Sequence, residues 1–263
     1  MILLRRLTVL PVLLFAAAIA WGPAQAQPAL ATPATAAAPA AASKSISCAT
    51  TATPRSRDYF WMSIARWKEM HAEDLAVADK GDTGLLFLGD SITEGWPAAL
   101  FNASFGEYKP ANFGIGGDHT GNVLWRLQEN RYAKLKPKAI VLLIGVNNFG
   151  HCGETPEQVF SGVRAVVEVL RRQYPQARIL LNAVLPTQEK ADGPVRQQVL
   201  ALNKLLVTLQ EEPHVLYRDY GQVFLQPDGS IAKELMPDFL HLSAKGYQLW
   251  SDAMLPDVRA LMK

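Results

Sequence analysis

The chain has 263 residues, 26 basic against 24 acidic side chains, and 49% hydrophobic residues. That is enough apolar material for one domain with a real core. So even a charge balance offers no basic face, which excludes nucleic acid as an expected partner.

The first 26 residues read as a secretory leader. Arg5 and Arg6 form its charged start, an apolar stretch runs from Leu7 to Ala20, and Ala24-Gln25-Ala26 supplies the small residues of a cleavage site. The apolar stretch is shorter than the roughly 20 residues a bilayer span requires. A secreted or periplasmic protein without a membrane span in its mature form is expected. Cleavage removes two arginines and no acid, leaving basic and acidic side chains equal at 24 each. Residues 27–53 are rich in Ala, Pro and Thr and are expected to form a flexible linker. Residues 54–263 are the expected domain. The two cysteines are Cys48, in the linker, and Cys152. An exported protein permits a disulfide between them, which would fasten the linker to the domain; spacing alone leaves two free thiols equally open.

Phe60, Trp61, Ile64, Trp67, His71 and Leu75 recur at helical spacing and predict an amphipathic helix, its tryptophans serving as core. Short apolar runs follow at Leu85–Leu88, Ala111–Phe113, Ala139–Ile144, Arg178–Leu185 and, weakly, Val215–Tyr217. Helical patterns separate them at Asn122–Gln128, Pro156–Gln173 and Pro194–Glu211, and a last one runs from Ala244 to Leu261. Continuous apolar strands alternating with helices predict a parallel sheet covered on both faces, an α/β fold. Function in such sheets gathers at the carboxyl ends of the strands. The segments found there are Gly89-Asp90-Ser91, Gly114-Ile115-Gly116-Gly117-Asp118 and Gly145-Val146-Asn147-Asn148, and the loop Pro237-Asp238-Phe239-Leu240-His241 precedes the last helix.

A serine hydroxyl needs a base within hydrogen-bond reach and an acid to orient that base. Of five histidines, His241 has a carboxylate three residues earlier, Asp238, and both lie in a loop before a helix that can bring them toward one edge of the sheet. Ser91, His241 and Asp238 are therefore the best triad available. The Ser91 amide, the Gly117 amide and the Asn147 side chain are candidate oxyanion donors. Asp90 is too close to Ser91 in sequence to serve as its acid. Trp96 and Asp118 are candidates for contacting substrate, while Trp125 reads as core packing. Each feature alone has a bland reading, as a turn, a cap or a structural histidine; their joint placement at strand ends is what carries weight.

Together these residues resemble the SGNH, or GDSL-like, hydrolases, and most of all the branch containing the catalytic subunits of intracellular platelet-activating factor acetylhydrolase and their bacterial relatives. The telling strings are Phe87 to Ser91, Asn112 to Asp118, Val123 to Leu127 and Pro237 to Leu242, and the likeness runs from about Trp67 to Ala260. It implies a three-layer, flavodoxin-like fold of about five parallel strands flanked by helices, with Ser91 as nucleophile, His241 as base and Asp238 as its acid. It also implies an oxyanion hole of Ser91, Gly117 and Asn147, no cofactor, and a small ester as substrate, either an acetylated carbohydrate or a short-chain lipid ester. Asn148 departs mildly from the family pattern, where Asp is frequent. The leader and linker depart further from the intracellular animal members.

Rival readings fit less well. A Rossmann dehydrogenase would need glycine where His119 stands, and the α/β-hydrolase elbow would need glycine where Thr93 stands. The histidines are scattered, so no metal site is expected. A non-catalytic carbohydrate-binding module would have no need to keep Ser91, Asn147 and His241 together.

Overall fold

The computed structural model describes residues 47–263, so the expected leader and most of the expected linker lie outside the described residues. Its elements alternate along the chain. Helix α1 (Ile64–Ala78) leads into strand β1 (Leu85–Gly89), followed by α2 (Ser91–Glu94), α3 (Ala98–Phe105) and β2 (Pro110–Gly114). Helix α4 (Thr120–Arg126), strand β3 (Ala139–Leu143), and helices α5 (Val146–Cys152) and α6 (Pro156–Gln173) come next. The chain closes with β4 (Arg178–Asn182), α7 (Pro194–Leu206), β5 (Val215–Arg218) and α8 (Ala244–Leu261).

The five strands form one sheet in the order β2-β1-β3-β4-β5, with every pair parallel. Every residue of β1 and β3 is buried, the pattern of central strands covered on both faces. Burying each Leu, Ile, Val or Phe of these strands stabilises the fold by about 1.5–3 kcal/mol. Helices α4, α6 and α7 pack beside one another, and α3 lies against α8. The strand order reverses between β1 and β3, and at such a switch point the connecting loops diverge and leave a crevice at the carboxyl ends.

Local chemistry sets the helix boundaries. Thr155 and Gln158 form a reciprocal capping box with Pro156 in the first turn, so α6 begins where the sequence predicts. Helix α1 starts later than the hydrophobic spacing suggests. The Ser63 side chain accepts from the Arg66 amide and caps the helix there, leaving Phe60 and Trp61 in the preceding loop and exposed.

The linker ends earlier than its composition indicates. Ala49 is fully buried, and Cys48 is joined to Cys152 by a disulfide. The buried Glu154 carboxylate accepts from Ser47 Oγ at 2.8 Å, the Ala49 amide at 2.9 Å and Asn148 Nδ2 at 2.8 Å. The Gly121 amide donates to the Cys48 carbonyl at 2.9 Å. Residues 47–62 thus form a strap packed on the domain, because their polar backbone finds fixed partners there. No helix among the described residues is long and apolar enough to cross a membrane.

Candidate active site

Ser91 is the first residue of α2, directly after β1. Its neighbour Asp90 caps that helix, accepting from the Ile92 amide at 3.0 Å. The Tyr247 hydroxyl of α8 donates to the Ile92 carbonyl at 2.8 Å and steadies the same turn. Asp90 is fully enclosed, and burial pushes its carboxyl up to about 7.

Ser91 Oγ lies 2.9 Å from His241 Nε2, and His241 Nδ1 lies 2.7 Å from Asp238 Oδ2. The other Asp238 oxygen accepts from the amides of His241 at 2.7 Å and Leu240 at 3.0 Å. Partial burial pushes the Asp238 carboxyl up, but the hydrogen bonds from His241 and Leu240 outweigh it and hold the group below its ordinary range. The Asp238 and His241 side chains are both about half exposed, so their pairing is screened and its value lies in orientation. The loop owes its shape to Phe239, which sits at a φ of 58°. The Phe239 carbonyl is gripped by the Gln188 amide at 2.8 Å and Thr187 Oγ1 at 3.1 Å, so the segment after β4 holds the strained turn in place.

Gly117 follows β2, and Asn147 lies in the first turn of α5 after β3. Gly117 adopts a φ of 72° and is pressed so closely by Trp61 that a Cβ there would collide with the indole. Asn147 Nδ2 donates to the Asp118 carbonyl at 3.0 Å and approaches Asp90 Oδ2 at 3.4 Å. Among the described residues neither the Ser91 nor the Gly117 amide donates to a turn, loop or cap carbonyl. Ser91, Gly117, Asn147 and His241 line one cavity of about 450 Å³. Donors converging beside a hydroxyl–imidazole–carboxylate chain are what addition to an ester carbonyl requires.

Two candidate contact residues are corrected. Trp96 is buried among Phe87, Phe101, Phe105, Tyr247 and Trp250, with the Trp250 ring stacked 4.6 Å away. Asp118 is fully buried. Its carboxylate pairs with Arg126 at 2.9 Å and Arg55 at 3.6 Å and accepts from Trp67 Nε1 at 2.6 Å. Arg126 also donates to the carbonyls of Phe113 at 3.1 Å and Gly89 at 3.4 Å. This buried network ties the ends of β1 and β2 to the loop that carries Gly117. Trp125 packs against Trp67 and His71, in keeping with a packing role.

The sequence reading missed the outer wall of the site. Phe60, Trp61, Met62, Glu94, His151 and Leu240 line the same cavity. Trp61 stacks on Tyr59 at 4.9 Å, and Tyr59 on His151 at 4.7 Å. The available signal was Ser63, a capping residue placed after the two aromatics rather than before them.

A family model for GDSL-like lipases and acylhydrolases matches residues 87–249, which contain Ser91, Gly117, Asn147, Asp238 and His241. The chain belongs to this family. Platelet-activating factor acetylhydrolase IB subunit alpha2 of Gallus gallus is 36% identical over 184 residues, covering 69% of this chain and 79% of that protein. Subunit alpha1 of Homo sapiens is 34% identical over the same length, covering 69% and 78%. Among solved structures, a GDSL-like lipase from Bacteroides thetaiotaomicron superposes with a TM-score of 0.60 at 20% identity, covering 74% of this chain and 98% of that one. An acetyl xylan esterase from Geobacillus stearothermophilus gives a TM-score of 0.53 at 21% identity, covering 67% and 94%. These two share the fold of this family member.

Proposed function

We propose that the chain is an exported serine esterase that hydrolyses short-chain esters, acetyl esters above all, through an acyl-enzyme on Ser91. The observation that carries this reading is the hydrogen-bonded chain from Ser91 Oγ through the His241 ring to Asp238. In the proposed mechanism His241 takes the serine proton as Oγ attacks the ester carbonyl. Asp238 holds the ring with Nε2 facing the serine and stabilises the imidazolium that forms. The amides of Ser91 and Gly117 and the side chain of Asn147 stabilise the oxyanion. The alcohol leaves with the proton from His241. Water, activated by the same base, then releases the acid and restores the serine.

Acetyl is favoured as the acyl group because the relatives at 34–36% identity are acetylhydrolases by name. The charged, apolar and small-residue sequence of residues 1–26 supports export. Phe60, fully exposed at the cavity wall, favours a second reading in which the esters carry longer lipid chains.

Hydrolysis of p-nitrophenyl esters of increasing chain length tests both readings. Turnover is expected to be highest with acetate, and Ser91→Ala is expected to abolish it while leaving the thermal midpoint near that of the parent. A rate that rises with chain length selects the lipid reading. Retained turnover in Ser91→Ala refutes the nucleophile.

A further inference from the structure

Beside the site cavity lies a second one of about 520 Å³, and Gly117 and His151 line both. The walls of the second cavity carry Arg55, Arg57, His119 and His151 and no carboxylate side chain. Its two arginines and His151 are incompletely matched by the protein. Arg55 donates Nη2 to the Gly116 carbonyl at 2.5 Å and lies 3.6 Å from Asp118, but its buried Nη1 has no partner. Arg57 rests its guanidinium on the Tyr59 ring at 4.7 Å and enters no ion pair among the described residues. His151 Nδ1 is buried without a partner.

The carboxylates nearby are already engaged. Asp118 is shared between Arg126 and Arg55 and held by Trp67, Glu94 accepts from the Gly116 amide at 2.5 Å, and Glu154 holds the strap. Asp58 accepts from the Ile64 amide at 2.6 Å. Two arginines, one sharing the Asp118 carboxylate with Arg126 and the other without an acidic partner among the described residues, are suited to an oxyanion, which gains charge-assisted hydrogen bonds there.

We propose that this cavity binds an anionic substituent, a carboxylate or a phosphate, on the alcohol part of the ester. This rests on the esterase reading above, which places the acyl carbon at Ser91. The shared walls at Gly117 and His151 would let one substrate occupy both cavities, its acyl group at Ser91 and its charge at Arg55 and Arg57. Arg57 is the specificity determinant, because it is exposed and takes no part in the proposed ester chemistry.

The test uses three aryl acetates of similar shape: 4-acetoxybenzamide, 4-acetoxybenzoate and 4-acetoxyphenyl phosphate, each normalised to its uncatalysed rate. The anionic esters are expected to exceed the amide in kcat/KM by about tenfold, chiefly through KM, the effect of one modest charged hydrogen bond. Arg57→Ala removes that preference and leaves the neutral ester unchanged; Arg57→Lys keeps most of it. The better of the two anions identifies the substituent. Equal kcat/KM for all three esters in the parent, or an equal loss for all three in Arg57→Ala, overturns the proposal. Calorimetric titration of Ser91→Ala protein with benzoate, phenyl phosphate and benzamide separates this proposal from the esterase reading. Anion binding that disappears with Arg57→Ala upholds the anion site even if no ester is turned over, and equal binding of benzamide and the anions overturns it.

Discussion

Asn147 shows how the residues of the candidate site depend on buried partners behind them. Its amide is aimed by the Asp118 carbonyl at 3.0 Å, and Asp118 is itself fixed by Arg126 and Trp67. A donor held this way needs no reorganisation when charge develops on the ester oxygen. Asn147→Ala is therefore expected to lower kcat by roughly 10²–10³-fold with KM nearly unchanged. Steady-state kinetics on p-nitrophenyl acetate checks this, and a rise in KM with kcat preserved would contradict an oxyanion role. That Ser91, Gly117, Asn147, Asp238 and His241 come together was legible in the sequence, because each follows a strand or precedes a helix in a recognisable string. Trp96 and Asp118 were misread. Proximity to a motif does not reveal side-chain direction, and both point inward, one to an aromatic cluster and the other to two arginines.

The strap of residues 47–62 is the element that composition describes least well. Its alanines, threonines and prolines suggest solvated chain, yet the Cys48–Cys152 disulfide and the Glu154 hydrogen bonds pin it to the domain. Those anchors lie about 100 residues away in sequence, so no local pattern could reveal them. The strap carries Trp61 onto Gly117, and Cys152 ends the helix that begins at Asn147's turn. Closing a loop of about 100 residues stabilises a fold by up to about 4–5 kcal/mol. Cys48→Ser is expected to lower stability by roughly 2–5 kcal/mol and to raise KM, because the cavity wall loosens. Denaturant melts and ester kinetics measure both effects, and reduction of the parent should reproduce them. Unchanged stability and KM in the variant would show that the strap is held without the bond.

At the scale of the whole molecule, the fold was the most legible feature, since the short continuous apolar runs of β1 and β3, alternating with helical patterns, fit strands covered on both faces. Strand order was not legible, as it depends on crossovers rather than composition. Acid stability was not legible either. His119 caps α4 by accepting from the Asn122 amide at 3.3 Å, which requires an unprotonated ring nitrogen, and burial lowers this group to about 4. With a folded value below the ordinary 6.5, the unfolded chain binds more protons between these limits. The His119 contribution is thus complete above about 6.5 and is lost as pH falls toward about 4. Thermal melts across that window should show a smaller acid loss in His119→Asn, which keeps a capping acceptor without a titrating ring; an identical loss in both proteins would contradict this. The central claim concerns Ser91, and covalent labelling tests it most directly. Treating the protein with a fluorophosphonate and mapping the peptides by mass spectrometry should place one adduct on Ser91, absent in Ser91→Ala and strongly slowed in His241→Ala. An adduct on another residue, or labelling of Ser91 that proceeds equally fast without His241, would contradict the account.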